Sequence, residues 1–408
     1  MVWIHVYYHE CIVLLSTMYC SYKINTSTNL PGFDFGEFSV VRRFNDFVWL
    51  CDQLAVACPG AVIPALPDKQ VMGKFTPDFV ESRRRALERF ITRVASHPQL
   101  VYASAFVSFL QADDNMLTCA KNEAKDKKKS STNPIAWLES LTNNKIELDK
   151  TAADMRFEEI QAYLTALEVA MEKASKAATL LVKRDRQVAT AMFEYGQTLT
   201  WLGEAESDTL GTGLCQVGSA VDVLSQSATR HSDDELVQLD EPLQEYVRLL
   251  ASLREAIKRR GDKKKLYANA IADLESKQQA YHKVAGQAKE DVERAKQMAV
   301  EAAQTACNDA KECYERVSSE LQEDFERFKA QKANDIRDIL MNFVQAQSEH
   351  VKKSEDAWRG LIPTLQNIQT TAAAAPTASY GGGNSGSNPF DHPSAPPAPD
   401  DEEDMVGV

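Results

Sequence analysis

Between Phe157 and Leu181 the apolar positions recur at intervals of 3, 4, 3, 4, 3, 4 and 3: Phe157, Ile160, Leu164, Leu167, Met171, Ala174, Ala178 and Leu181. Val188, Met192, Tyr195, Leu199 and Leu202 continue this register a heptad later. A 3.5-residue period held so long predicts a supercoiling helix with this stripe as its seam. Gly203, Gly211 and Gly213 punctuate its end. A second helical stretch runs from about Leu214 to Val284, with Leu243, Val247, Leu250, Leu253 and Ile257 as its stripe. Pro242 lies inside it and has no N–H to donate, so the helix must kink or restart there. A third stretch runs from about Gln287 to Leu361, marked by Val317, Leu321, Phe325, Phe328, Ile336, Leu340 and Phe343. At 1.5 Å per residue each helix is roughly 80–110 Å long, and three such antiparallel helices make a rod.

Residues 1–115 follow a different pattern. Tyr19–Thr28 alternates with period 2, placing Tyr22, Ile24 and Thr26 on one face, and EFSVVRRF (37–44) is a second strand candidate. Phe47–Leu54 reads as a helix, and 59–67 holds Pro59, Pro64 and Pro67 and so reads as irregular. Residues 78–96 form a strong amphipathic helix over Phe79, Leu87, Phe90, Ile91 and Val94, ended by His97-Pro98. The expectation is an α+β domain over 1–115, a basic linker over 116–149, an all-α domain over 150–362 and a disordered acidic tail over 363–408.

Charge sharpens this division. The chain of 408 residues carries a net charge of −13. Residues 116–133 are net +3 through a cluster at Lys125 and Lys127–Lys129, whereas 134–370 are net −9 and the tail from 371 is net −6. An acidic balance argues against a general nucleic-acid binder. The eight cysteines form no CxxC pair, so no metal site is expected and reduced thiols are. The short apolar run at Cys11–Met18 has no basic residue before it, and the chain is read as cytosolic. Walker A, GxSxG, HExxH and strand-linked GxGxxG motifs are absent, so neither an enzyme nor a cofactor is expected.

The densest chemistry is RRFNDFVWL (42–50), followed by IPALPDK (63–69) and FVESRRR (79–85). Arginine forks match phosphates bidentately, lysine adds a mobile charge, and an aromatic face suits the apolar side of a ring. From spacing alone, solvated surface charge accounts for Arg42, Arg43 and Arg83–Arg85 at least as well.

These three motifs, with YKINTSTNLP (22–31), resemble the phox-homology (PX) domain in order and spacing. LVKRDRQVATAMFEYGQTLTWLG, DEPLQEYVRLLASLREAIKRRG and DAWRGLIPTL resemble the BAR domain of the sorting nexins, most of all the retromer-associated sorting nexin 1 type. The resemblance spans about 19–362. It implies a three-stranded antiparallel sheet plus helices, then a long three-helix coiled coil that dimerises with itself or a related sorting nexin. It further implies a site for phosphatidylinositol 3-phosphate: Arg43 on the 3-phosphate, Phe44 under the inositol ring, Lys69 on the 1-phosphate and Arg83 on the 4- and 5-hydroxyls. Phe44 stands where the family usually has Tyr, and Ala65 replaces a loop proline. MVWIHVYYHECIVLLST matches none of the family's motifs.

On this reading the protein is peripheral on the cytosolic face of early or sorting endosomes, acting in curvature-linked sorting with retromer cargo-recognition subunits. Lys258, Arg259, Arg260, Lys263, Lys264 and Lys265 are candidates for the bilayer-facing surface, a solvated helix face being the alternative. The stretch Ile135–Leu148, with Trp137 beside the lysine cluster, is a candidate membrane-wedging helix or a packing helix. In the tail, Asn388-Pro389-Phe390 resembles the ligand of EH domains. The competing reading is a cytosolic coiled-coil scaffold with a degenerate PX-like domain.

Overall fold

Alternating apolar residues in the first 43 positions build one sheet. A computed structural model describes residues 2–14, 17–69, 76–130, 150–206, 208–285 and 289–368. Strands β1 (Val2–Leu14), β2 (Thr17–Thr28) and β3 (Glu37–Arg43) pair antiparallel in the order β1-β2-β3. β1 pairs with β2 from Val2↔Thr28 to Leu14↔Thr17, and β2 with β3 from Ser21↔Arg43 to Ser27↔Glu37. The N-terminal segment without family motifs is therefore the first strand of the sheet. Its Ile4 and Val6 join Tyr22 and Ile24 on the buried face, as a period of 2 requires.

Helices close over that face. α1 (Phe44–Ala57) buries Phe47, Leu50 and Leu54, and α2 (Pro77–Ser96) buries Val80, Leu87, Phe90, Ile91 and Val94. α3 (Ser104–Gln111) adds Phe106, Phe109 and Leu110, with Phe47 edge-on to Phe109 at 4.9 Å. α4 (Asp114–Ser130) occupies the first half of the segment expected as a linker. Leu117 is buried and Lys121 pairs with Asp46, so its start is fastened to the α+β domain. The thiols of Cys51, Cys58, Cys119, Cys215, Cys307 and Cys313 are free, whereas Cys20, against expectation, is disulfide-bonded.

The helical region comprises α5 (Ala152–Ala205), α6 (Thr209–Glu235), a π-helical turn at Leu236–Asp240, α7 (Glu241–His282) and α8 (Glu290–Gln366). The π turn sits directly before Pro242, where the interruption was expected. Gly211 and Gly213 lie inside α6, which starts earlier than expected because the Asp208 side chain accepts from the amides of Leu210 and Gly211 at 2.8 and 3.2 Å.

The seam of α5 also departs from the sequence pattern. Phe157, Ile160, Leu164 and Met171 are buried as expected. Beyond them the buried positions are Ser175, Ala178, Val182, Ala189, Gly196 and Gly203, while Val188, Tyr195 and Leu202 lie outward. Small residues win because α5 and α6 nearly touch. A Cβ on Gly218 would stand 2.3 Å from Thr200 Oγ1 and 2.7 Å from Gly196 O, and one on Gly203 would stand 2.7 Å from Gly211 O.

The two regions are joined by buried charge. Arg85 and Arg89 of α2 meet Glu241, Arg89 and Arg93 meet Glu245, and Arg93 also meets Asp335. Asp324 of α8 accepts from the Val62 amide at 2.7 Å and lies 2.9 Å from His97 Nε2. Val62 itself packs in the helical core. Part of the acidity of the helical region thus serves as counter-charge to α2. Among the described residues, no helix is long and apolar enough to cross a membrane.

Candidate functional site

The consecutive arginines at the end of β3 point to opposite faces, because side chains alternate along a strand. Arg42 is buried, donating through Nε to Phe109 O at 2.8 Å, through Nη1 to Val41 O at 3.0 Å and through Nη2 to Ala112 O. It holds the chain around α3 in place. Arg43 is exposed, and its backbone N–H donates to Asp46 Oδ2 at 2.7 Å in a capping box that starts α1. Phe44, the first residue of α1, is partly buried beside it.

The run Arg83–Arg85 is divided by helical geometry, each step turning about 100°. Arg84 is fixed by Glu81, Glu88 and Val6 O. Arg85 is fixed by Glu241. Arg83 is different. Its guanidinium lies between two rings, 4.6 Å from the Phe44 centroid and 4.2 Å from that of Phe79. Its Nη2 reaches Asp68 O at 3.4 Å, its Nε has no hydrogen-bond partner, and no carboxylate among the described residues pairs with it. Burial pulls its proton affinity below the ordinary arginine value, with Tyr22 acting in the opposite direction. Arg83 is a partly buried cation held flat by aromatics, an arrangement suited to an anionic or hydroxyl-bearing ligand.

Fold contacts thus bring the four expected residues to one edge. Arg43 adjoins Phe44, Phe44 stacks on Arg83, and Arg83 touches the backbone of Asp68, whose neighbour Lys69 is exposed. Phe79 was read as a core position only. Its i,i+4 relation to Arg83 was the available signal for its second role.

The second candidate set is divided. Arg260 is buried, donating to Asp154 Oδ1 at 2.7 Å, Tyr314 OH at 2.7 Å and Ser318 Oγ at 2.9 Å. Lys264 donates to Asp154 Oδ2 at 2.7 Å. Arg259 donates to Pro59 O at 3.2 Å and Ala61 O at 2.7 Å. These three are therefore corrected from bilayer-facing cations to tethers between helices and between regions. A face of α7 that packs on α5, α8 and the proline loop is not free to meet lipid. Lys258 and Lys265 are exposed, each bridged locally to Glu255 and Asp262, and Lys263 is half-buried. Trp137 and the tripeptide Asn388, Pro389 and Phe390 lie outside the described residues.

A cation-bearing α+β module seated on a kinked three-helix arm defines the PX-BAR class of protein. Family comparison agrees: the PX domain model matches residues 30–113, and the model described as Vps5 C terminal like matches 139–364. Sorting nexin 1 of Arabidopsis thaliana is 28% identical over 358 residues, covering 85% of this chain and 88% of that protein. Human sorting nexin-30 is 29% identical, covering 86% of this chain and 75% of that protein. The cryo-EM structure of the SNX-BAR Mvp1 tetramer superposes with a TM-score of 0.63 at 20% identity, over 88% of this chain and 99% of that one. The chain belongs to the PX-BAR sorting nexins. Proteins of this family are non-enzymatic trafficking adaptors that associate with membranes.

Proposed function

We propose that the chain recognises phosphatidylinositol 3-phosphate on the cytosolic face of endosomal membranes, with Arg43 on the 3-phosphate, Phe44 under the ring, Lys69 on the 1-phosphate and Arg83 on the ring hydroxyls. The observation that supports this best is the Arg83 guanidinium clamped between Phe44 and Phe79 without a carboxylate partner among the described residues. Each headgroup contact is modest, and a dimer presenting two sites gains avidity.

The dimer draws on the outward apolar positions Val188, Tyr195 and Leu202 of α5 and Leu340, Val344, Val351 and Trp358 of α8, which are too extensive to leave in water. Lys258, Lys263 and Lys265 remain as bilayer contacts of the arm, Trp137 as an interfacial anchor and Asn388-Pro389-Phe390 as a ligand for EH domains. Sorting with retromer is the matching cellular role.

Flotation with liposomes containing phosphatidylinositol 3-phosphate tests the reading. Selective binding lost in Arg43→Ala, with folding intact, is expected. Unchanged flotation of that variant overturns the site, and no flotation of the natural chain leaves the cytosolic scaffold. Sedimentation showing a stable micromolar monomer overturns the dimer. A tail peptide that binds EH domains equally well after Phe390→Ala removes the third assignment.

A further inference from the structure

Away from the headgroup site, where α6 ends in the π turn, three ligand-type side chains converge. Asp185 of α5 and His231 and Glu235 of α6 place one ligand atom each within 4.8 Å of one another. His231 and Glu235 are four residues apart on one helix face, and His231 Nε2 lies 3.3 Å from Glu235 Oε1. Both are buried, Glu235 to 1% exposure. Gln347 of α8 donates to Glu235 Oε1, while Glu235 Oε2 has no donor among the described residues and the Glu235 carboxyl stands against that of Asp185. A buried carboxylate oxygen left without a donor is costly and calls for a cation or a proton.

The histidines add a second, independent observation. The ring of His350 from α8 stacks on that of His231, centroids 4.2 Å apart and planes 4° from parallel. Two imidazolium rings repel in such a stack, so the pair carries at most one charge. His350 Nδ1 is also buried and without a partner among the described residues. A groove of about 650 Å³, lined by Asp234, Gln238, Glu349 and His350, reaches the cluster at His231.

We propose that Asp185, His231 and Glu235 bind one divalent transition-metal ion of zinc type. One imidazole and two carboxylates suit zinc, cobalt or nickel rather than calcium or magnesium. Zinc–ligand bonds of about 2.0–2.2 Å in tetrahedral geometry put donors about 3.2–3.6 Å apart, which the His231–Glu235 pair already meets. Water completes the shell, and Gln347 orients Glu235 as an outer partner. The ion would tie α5 to α6 one residue before the π turn at Leu236–Asp240, and so stiffen the arm at its bend.

The test uses the full chain stripped with a chelator and then titrated with Zn²⁺ by calorimetry and with Co²⁺ by visible absorption. One ion per chain is expected, with the weak d–d bands of nitrogen and oxygen donors and a higher melting temperature in excess Zn²⁺. His231→Gln and Glu235→Gln should abolish this binding, and Asp185→Asn, at a half-buried position, should weaken it at least tenfold. Circular dichroism verifies that each variant is folded. No saturable binding to the natural chain overturns the proposal, and a proton then neutralises Glu235. Equal affinity in all variants, or thiolate charge-transfer bands with Co²⁺, overturns it in favour of cysteine ligation.

Discussion

Replacing Asp154 with asparagine should loosen the base of the helical arm by about 3–4 kcal/mol. Asp154 is 7% exposed and joins three helices. Its Oδ1 accepts from Arg260 Nη2 at 2.7 Å and Tyr314 OH at 3.0 Å. Its Oδ2 accepts from Lys264 Nζ at 2.7 Å and the Thr151 amide at 3.1 Å. Breaking a buried ion pair by removing one partner costs about 3–5 kcal/mol, because the other charge stays buried. Arg260, itself 5% exposed, keeps Ser318 and the faces of Phe157 and Tyr314, which favours the lower end. Lys264 is better solvated and adds no more than about 1 kcal/mol. For a helical region of this size the loss corresponds to a melting shift of roughly 6–16 °C.

The assay is denaturant unfolding followed by circular dichroism at fixed protein concentration, with Arg260→Met and the double variant completing a cycle. The double variant should lose less than the sum of the singles by about 1–3 kcal/mol. The pH dependence gives a second reading. Burial pushes the Asp154 carboxyl up, but the donors from Lys264, Arg260, Thr151 and Tyr314 together hold it well below the ordinary carboxylate range. A carboxyl depressed in the folded state stabilises at pH values above its unfolded value, about 3.9, and loses that stabilisation as pH falls towards its folded value. The gap between the natural chain and Asp154→Asn should be full at pH 7 and shrink below about pH 4. Additive single effects, or a loss under 1 kcal/mol at pH 7, would refute the buried-pair account.

Arg42→Ala should unfold the α+β domain by roughly 2–5 kcal/mol, read as an earlier thermal transition, because it strands the carbonyls of Phe109 and Ala112; Arg43→Ala should leave that transition in place, and matching effects would erase the distinction drawn between the two. Gly218→Ala should destabilise the α5–α6 hairpin by about 1–3 kcal/mol, since the new methyl meets Thr200 Oγ1 at 2.3 Å, and an unchanged melt would refute the close packing. Glu241→Ala leaves Arg85 and Arg89 without their shared partner and should raise hydrogen exchange in α2 and α7 together; exchange confined to one helix would show that the two regions are not coupled there.

The repeating apolar period and the Pro242 interruption determined the long helices, and period-2 alternation determined β2 and β3, because those signals are local and need no partner to be read. The motifs around Arg43, Phe44, Lys69 and Arg83 likewise named residues that the fold brings to one edge. Which arginine of a run is tied into the core or to an acidic partner was decided by tertiary structure. Arg42 and Arg43 differ only in the face of a strand, and Arg83 and Arg85 only in the angle around a helix, until core, acidic partner and aromatic rings are in place. The same holds for Arg260 and Lys264, whose charges resemble a solvated or lipid-facing patch until Asp154, more than a hundred residues away, turns them inward. β1 was overlooked because its segment carries no family motif, although Ile4 and Val6 alternate onto the buried face. The outward turn of Val188, Tyr195 and Leu202 was hidden because heptad spacing does not record how closely a neighbouring helix approaches; the glycines of α5 and α6 let the backbones nearly touch, and that contact chose small residues for the seam.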